Sequence, residues 1–140
     1  MPSQHRSHIW VKMQVEPDER AGLMSVFEAT DGRQWKKNDG WGTTSPLHGV
    51  TVEGGNVVGL DLSDNRLKGS IPAELGHFRH LQGLYLRNNK LSGSIPVELG
   101  QLSSLQELYL LENQLSGSIP AELGKLSGLQ KLFLYNNQLS

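Results

Sequence analysis

The sequence predicts an α/β solenoid, a stack of short parallel strand rows closed at its amino-terminal end by a helix-and-hairpin cap. Three observations carry this. The chain aligns with itself at a spacing of 24 residues from Val57, Leu81, Leu105 and Leu129, and a fixed period of about 20–50 residues marks stacked supersecondary units. Each row carries two leucines at a spacing of two, which places both on one face of a strand. Gly-Ser-Ile-Pro recurs in register at 69–72, 93–96 and 117–120. The 140 residues suit one domain, and glycines and prolines, 16 and 6 in number, recur at fixed spacing within the rows, so there they punctuate structure and do not signal disorder.

The rows read VVGLDLSDNRLKGSIPAELGHFRH (57–80), LQGLYLRNNKLSGSIPVELGQLSS (81–104), LQELYLLENQLSGSIPAELGKLSG (105–128) and the half-row LQKLFLYNNQLS (129–140). Leu60, Leu84, Leu108 and Leu132 alternate with Leu62, Leu86, Leu110 and Leu134 as the inward pair. The residues between them, Asp61, Tyr85, Tyr109 and Phe133, are expected to point outward from a parallel sheet. Asn65, Asn89, Asn113 and Asn137 follow three residues after the second leucine. An asparagine amide carries donors and an acceptor, so one per row can satisfy the backbone groups that the turn leaves unpaired, as a buried ladder. Gly69, Gly93 and Gly117 are placed to take positive φ. Ile71-Pro72, Ile95-Pro96 and Ile119-Pro120 put a buried branched side chain before a proline suited to the first turn of a short helix. In Leu75-Gly76, Leu99-Gly100 and Leu123-Gly124 the leucine is expected inward and the glycine to end that turn.

These residues carry a resemblance. The pattern LxxLxLxxNxLxGxIPxxLGxLxx over residues 57–140 resembles the plant-type leucine-rich repeat. The resemblance implies a right-handed leucine-rich-repeat horseshoe, with a parallel sheet on the concave side and helical or extended segments on the convex side. It also implies a protein or peptide ligand, because members of the family mostly act as binding modules, receptor ectodomains or inhibitors of secreted enzymes.

The first row would expose its leucines without a cap. Residues 1–16 read as a disordered leader and 17–56 as the cap. Pro17-Asp18-Glu19 has the composition of a helix start, Leu23, Met24 and Phe27 recur at helical spacing, and Asp31-Gly32 is expected to stop the helix. Trp35 and Trp41 bracket the turn Asn38-Asp39-Gly40. Val50 and Val52, then Val57 and Val58, flank Glu53-Gly54-Gly55-Asn56 as a hairpin. This segment resembles the cap that precedes plant-type repeats, whose Cys-x-Trp-x-Gly-Val-x-Cys falls on residues 45–52. Gly49 and Val50 match, whereas Ser45 and Val52 stand at the cysteine positions and Leu47 at the tryptophan. The disulfide is therefore absent, as in the cysteine-free caps of algal and protist relatives, and Trp35 and Trp41 would hold the cap by aromatic packing.

Several function classes fall away. A net charge of −1 supplies no basic field for nucleic acid. No run approaches the eighteen or so apolar residues of a membrane span. The absence of cysteine, of an Asn-x-Ser/Thr sequon and of a signal-peptide core favours an intracellular setting. His77 and His80 sit three apart without a further ligand and read as surface histidines, so no metal or cofactor is expected. Gly40-Trp41-Gly42 and Gly124-Lys125 are fragments of phosphate-loop patterns that lack their remaining residues. Asp61 and Asp64 pair two acids on an open sheet, without the water-excluding pocket that acid–base chemistry needs. The chain reads as a binding protein and not an enzyme.

The outward columns define the expected recognition face. They are Gly59, Gly83, Glu107 and Lys131; Asp61, Tyr85, Tyr109 and Phe133; Ser63, Arg87, Leu111 and Tyr135; and Asp64, Asn88, Glu112 and Asn136. The candidates for protein binding are Asp61, Tyr85, Arg87, Glu107, Tyr109, Leu111, Lys131, Phe133 and Tyr135. Cross-strand aromatics can simply stabilise a sheet, at about 0.2–1 kcal/mol per pair. An exposed Leu111 beside them favours a contact strip instead, since aromatics and arginine dominate interface energetics. The expected function is a protein-interaction module binding a protein or peptide on the concave face. The alternatives are the ligand-sensing region of a receptor kinase, an inhibitor of a polysaccharide-degrading enzyme, or a targeting module of a GTPase. The half-row at 129–140 leaves its leucines without a covering row, so self-association or fraying is expected there.

Overall fold

The computed structural model describes residues 15–41 and 47–140. Helix α1 (Pro17–Ala29) opens the cap, with proline and two acids in its first turn, where free N–H groups favour negative charge. Leu23 and Val26 face the core, and Met24 and Phe27 pack partly against it. The helix closes at Thr30, whose backbone N–H and hydroxyl both donate to the Val26 carbonyl, at 3.2 and 2.5 Å. Asp31 then turns the chain in the left-handed region, φ 59°, and Gly32 opens a 3-10 turn, Gly32–Gln34, so it starts a new element and does not merely stop the old one. Two residues of the expected leader, Val15 and Glu16, pack against the cap. Val15 is buried and the Glu16 N–H donates to the Gly55 carbonyl at 3.0 Å, so both belong to the cap. Residues 1–14 of that leader, and Ser45 of the cap motif, lie outside the described residues.

The hairpin forms as expected. Strands β1 (Val50–Glu53) and β2 (Asn56–Asp61) pair antiparallel, with a bulge between Thr51 and Val52. Strands β4 (Gly83–Tyr85), β6 (Glu107–Tyr109) and β8 (Lys131–Phe133) then add in parallel to β2. Their register pairs Leu60 with Leu84, Leu84 with Leu108, and Leu108 with Leu132, each a shift of 24 residues. The inward leucines of the first three rows are fully or almost fully buried.

The asparagine ladder runs along the bend after each strand. The Asn89 side-chain oxygen accepts from the N–H groups of Asn65 and Leu67, at 3.0 and 2.9 Å. Its amide nitrogen donates back to the carbonyls of Leu62 and Leu86, both at 3.0 Å. Asn113 repeats this towards Leu91, Leu86 and Leu110, and Asn137 towards Leu115 and Leu110. Asn65 reaches backwards into the cap, accepting from the Lys37 N–H at 2.5 Å and donating to the Lys37 carbonyl at 2.9 Å. The residue before each ladder asparagine (Asp64, Asn88, Glu112, Asn136) has φ of 53–59°. Aspartate and asparagine tolerate that conformation best among residues with a side chain.

Beyond the bend the chain forms a second parallel sheet that the sequence pattern did not show: β3 (Lys68–Gly69), β5 (Lys90–Gly93), β7 (Gln114–Gly117) and β9 (Gln138–Leu139). Gly69 has φ 110° there, and a Cβ on it would stand 2.2 Å from the Ala29 carbonyl oxygen. The 3-10 turns Ala73–His77, Val97–Gln101 and Ala121–Lys125 follow, each preceded by its proline at the N-cap and not inside the first turn. The expectation that Gly76 and Gly100 end these turns is corrected: each turn runs one residue further. Their purpose is close approach of the next row, since a Cβ on Gly76 would lie 2.8 Å from the Glu98 carbonyl oxygen and one on Gly100 2.6 Å from that of Glu122.

The cap docks as an additional row. Phe78, in the column of Leu102 and Leu126, is fully buried, and its ring reaches α1 where Gly22 leaves room for it. Glu19 is buried as well and accepts the Val57 N–H at 2.5 Å. Desolvation raises the Glu19 carboxyl above its ordinary range, against the lowering effect of the Val57 hydrogen bond and of nearby His80. At the other end, Leu132 and Phe133 are exposed, while Leu129, Leu134 and Leu139 pack partly against the core.

Candidate interaction face

The outward column of the main sheet forms a continuous aromatic stripe because the parallel register places Tyr85 opposite Tyr109 and Tyr109 opposite Phe133. Tyr85 and Tyr109 meet edge to face with ring centroids 4.9 Å apart, Tyr109 and Phe133 at 4.8 Å, and Phe133 and Tyr135 at 6.3 Å. These distances lie in the range of favourable ring pairs, so each ring is held by its neighbours. Tyr85 and Tyr109 are half-buried, and Tyr135 is 58% exposed. The result is a rigid strip that keeps apolar area towards solvent.

Charges flank the strip in fixed pairs. Glu107 accepts the Tyr85 hydroxyl proton in a hydrogen bond and forms an ion pair with Lys131 at 3.6 Å. Arg87 lies 4.0 Å from Asp64, whose carboxylate also accepts from the Asn88 amide. Asp61 is exposed and accepts the Ser63 N–H at 3.1 Å. The hydrogen bond to Glu107, with burial and the Glu107 charge, pushes the Tyr85 phenol up to about 12. Its proton is held more tightly in the folded chain than in the unfolded one. That contribution to stability is complete below pH 10 or so and is lost as the pH rises towards 12. Tyr85 is therefore expected to ionise late in an alkaline titration followed by phenolate absorbance. Glu107→Gln should move its transition down towards the ordinary value, and an unchanged transition would contradict the role given to Glu107.

One sequence-expected site residue is not on the surface. Leu111 is only 4% exposed. Its carbonyl accepts from Asn88, and the adjacent Glu112 N–H donates to the Tyr135 carbonyl, so it is enclosed between the Arg87 and Tyr135 rows. The inward–outward alternation lapses because β6 ends at Tyr109 and Glu112 already turns the chain at φ 58°. The other expected residues, Asp61, Tyr85, Arg87, Glu107, Tyr109, Lys131, Phe133 and Tyr135, lie on one face.

The structure adds residues that the repeat columns do not contain. A cleft of about 580 Å³ opens where the cap meets the first three rows, with Lys36, Lys37 and His48 on the cap side and Asp61, Asp64 and Arg87 on the sheet side. Tyr85 and Tyr109 also line it, so the cleft is continuous with the stripe. His48 is a turn residue whose N–H donates to the Asp39 carbonyl at 2.7 Å, and its carbonyl accepts the Trp41 indole N–H at 3.1 Å. His77 and His80 are exposed, and among the described residues no three His, Cys, Asp or Glu side chains gather as metal ligands. No helix among the described residues is long and apolar enough to cross a membrane.

Comparison with known proteins agrees with this architecture. Residues 79–120 match the family profile described as Leucine Rich repeats (2 copies), and residues 56–78 match the single Leucine Rich Repeat. The chain is similar to the crystal structure of PEPR1–AtPEP1, at 34% identity and a TM-score of 0.74 over 85% of this chain and 18% of that one. It is similar at 24% identity to the leucine-rich-repeat ectodomain of the receptor kinase SOBIR1 from Arabidopsis thaliana, with a TM-score of 0.72 over 89% of this chain and 70% of that one; this likeness concerns the fold. It is also 45% identical, with a TM-score of 0.56 over 57% of this chain and 13% of that one, to the Arabidopsis receptor kinase HAESA, solved in complex with the peptide hormone IDA and the co-receptor SERK1. The chain thus spans less than a fifth of the length of two of these three proteins. No curated protein sequence matches it.

Proposed function

We propose that this chain, whose rows are leucine-rich repeats of the plant type, is a protein-interaction module that binds a protein or an extended peptide along the concave sheet. One observation carries the reading: the stripe Tyr85–Tyr109–Phe133–Tyr135 is pre-organised by ring contacts and yet retains solvent-facing aromatic area. Rigid aromatic anchors lose little conformational freedom on binding and dominate interface energetics. The fixed ion pairs beside the stripe supply a polar rim. The likeness to HAESA, which was solved with a peptide hormone, supports a peptide as the ligand class and favours the sensing region of a receptor over an enzyme inhibitor.

The experiment is a comparison of two variants against a bound partner or selected peptide. Tyr109→Ala, at the centre of the stripe, is expected to weaken binding by about 1–4 kcal/mol. Lys125→Ala, on the convex turn, should leave affinity within about 0.5 kcal/mol. Affinity that responds to Lys125 and ignores Tyr109 would overturn the assignment.

A further inference from the structure

We propose that the cleft between the cap and the first rows is a subsite for an acidic side chain of the bound peptide, held by Lys36 and Lys37 while the residues that follow lie along the aromatic stripe. This rests on the concave-face reading above and specifies its ligand. The first support is the charge inventory of that face. Arg87 and Asp64 pair with each other, as do Glu107 and Lys131, and the Asp61 carboxylate accepts the Ser63 N–H. Among the described residues the ammonium groups of Lys36 and Lys37 have no ion-pair partner. The cap end of this face therefore carries two unpaired cations against the one unpaired carboxylate of Asp61, a positive excess.

The second support is placement. The Lys36 N–H donates to the Asn65 carbonyl at 3.0 Å, and Lys37 is bonded through both its N–H and its carbonyl to the Asn65 side chain, at 2.5 and 2.9 Å. The end of the asparagine ladder thus fixes the backbone that carries both lysines, while their side chains remain exposed. The two cations need no ordering of the main chain when a ligand arrives. The third support is continuity, because Tyr85 and Tyr109 line the same cleft. Rows stand about 4.8 Å apart and an extended peptide advances about 3.3 Å per residue. A peptide crossing from Lys37, one row before Asp61, to Phe133 would need about six residues, an acid first and apolar side chains after it. Asp61 and Asp64 in the same cleft, and a net charge of −1, disfavour a polyanion such as nucleic acid and suit a single carboxylate.

The test uses a displayed library of random dodecapeptides panned on the intact chain. Recovered peptides are resynthesised and measured by fluorescence polarisation against the native chain, Tyr109→Ala, and the double variant Lys36→Glu/Lys37→Glu. Both lysines are exposed, so the double variant should melt with the native chain. The recovered peptides are expected to be enriched in Asp or Glu next to apolar residues. The double reversal should weaken them about tenfold or more, and raised salt should shrink the effect. Replacing the peptide's acid by its amide should make the native chain and the double variant bind alike. Peptides that lose affinity to Tyr109→Ala but ignore the lysine reversal would overturn the subsite and leave the concave-face reading intact. Peptides indifferent to both changes, or no recovered peptide at all, would overturn both. A heparin oligosaccharide that outcompetes every peptide through the lysines would overturn the choice of an acidic side chain.

Discussion

Asn89→Ala should lower the stability of the chain by about 2–4 kcal/mol, read as a fall in the denaturant midpoint. The replacement removes the acceptor of two buried backbone N–H groups, those of Asn65 and Leu67, and the donor to the carbonyls of Leu62 and Leu86. A buried polar group left unpaired costs about 1–3 kcal/mol, and two N–H groups lose their partner together. Alanine cannot recover this, because the bend lies inside the stack, where Asn89 is 9% exposed. Gln114→Ala, on an exposed side chain next to Asn113 in the following row, should cost about 0.5 kcal/mol or less. Equal midpoints for the two variants would remove the ladder from the account of what holds the rows together.

Trp35→Ala should cost about 3–5 kcal/mol and act on the cap, since it empties a large apolar volume. Without a disulfide the cap is held by three rings. Trp35 meets Phe27 at 5.3 Å and Trp41 at 4.9 Å, both edge to face, and Phe27 stacks on Trp41 at 5.7 Å. The Trp35 indole N–H also donates to the Thr30 carbonyl at 3.0 Å, which would keep only the Lys68 N–H, at 3.2 Å, once the ring is removed. Because Val57 is tied to Glu19 and Gly22 receives the Phe78 ring, loosening the cap should uncover the first row. Hydrogen exchange should accelerate in β1, β2 and residues 60–67 before it does in β6. Uniform acceleration along the chain, or none, would contradict a cap that acts as a zeroth row.

What the sequence made legible is what it repeats. The inward leucines, the asparagines and the positive-φ glycines each recur at 24 residues, and in the first three rows each sits where that periodicity put it, whereas Leu132 of the last half-row is exposed. The aromatic stripe was legible for the same reason, because parallel register converts a column of the alignment into neighbours in space. The failures lie where one row departs from its column or where distant segments meet. Leu111 replaces Ser63, Arg87 and Tyr135 of the other rows, and a rule of alternation taken from the strand was carried past the strand's end. Lys36 and Lys37 join the concave face through hydrogen bonds to Asn65, 29 and 28 residues on, which no local pattern announces. Glu19 occupies a buried position that an apolar pattern would have missed in any helix. The sequence did contain one unread signal, the change from leucine to Phe78 in the row that adjoins the cap. The second sheet was hidden because its strands are short and its residues are mostly polar, serine or glycine.

The most direct measurement of the central claim is a hydrogen-exchange footprint of the chain with and without a bound partner. Binding along the concave sheet predicts slowed exchange at 85–87, 109–111 and 133–135, in rows that are neighbours in space but 24 residues apart in sequence. The convex turns at 73–77, 97–101 and 121–125 should exchange unchanged. Protection confined to those turns, with the three strand segments untouched, would contradict a concave binding face.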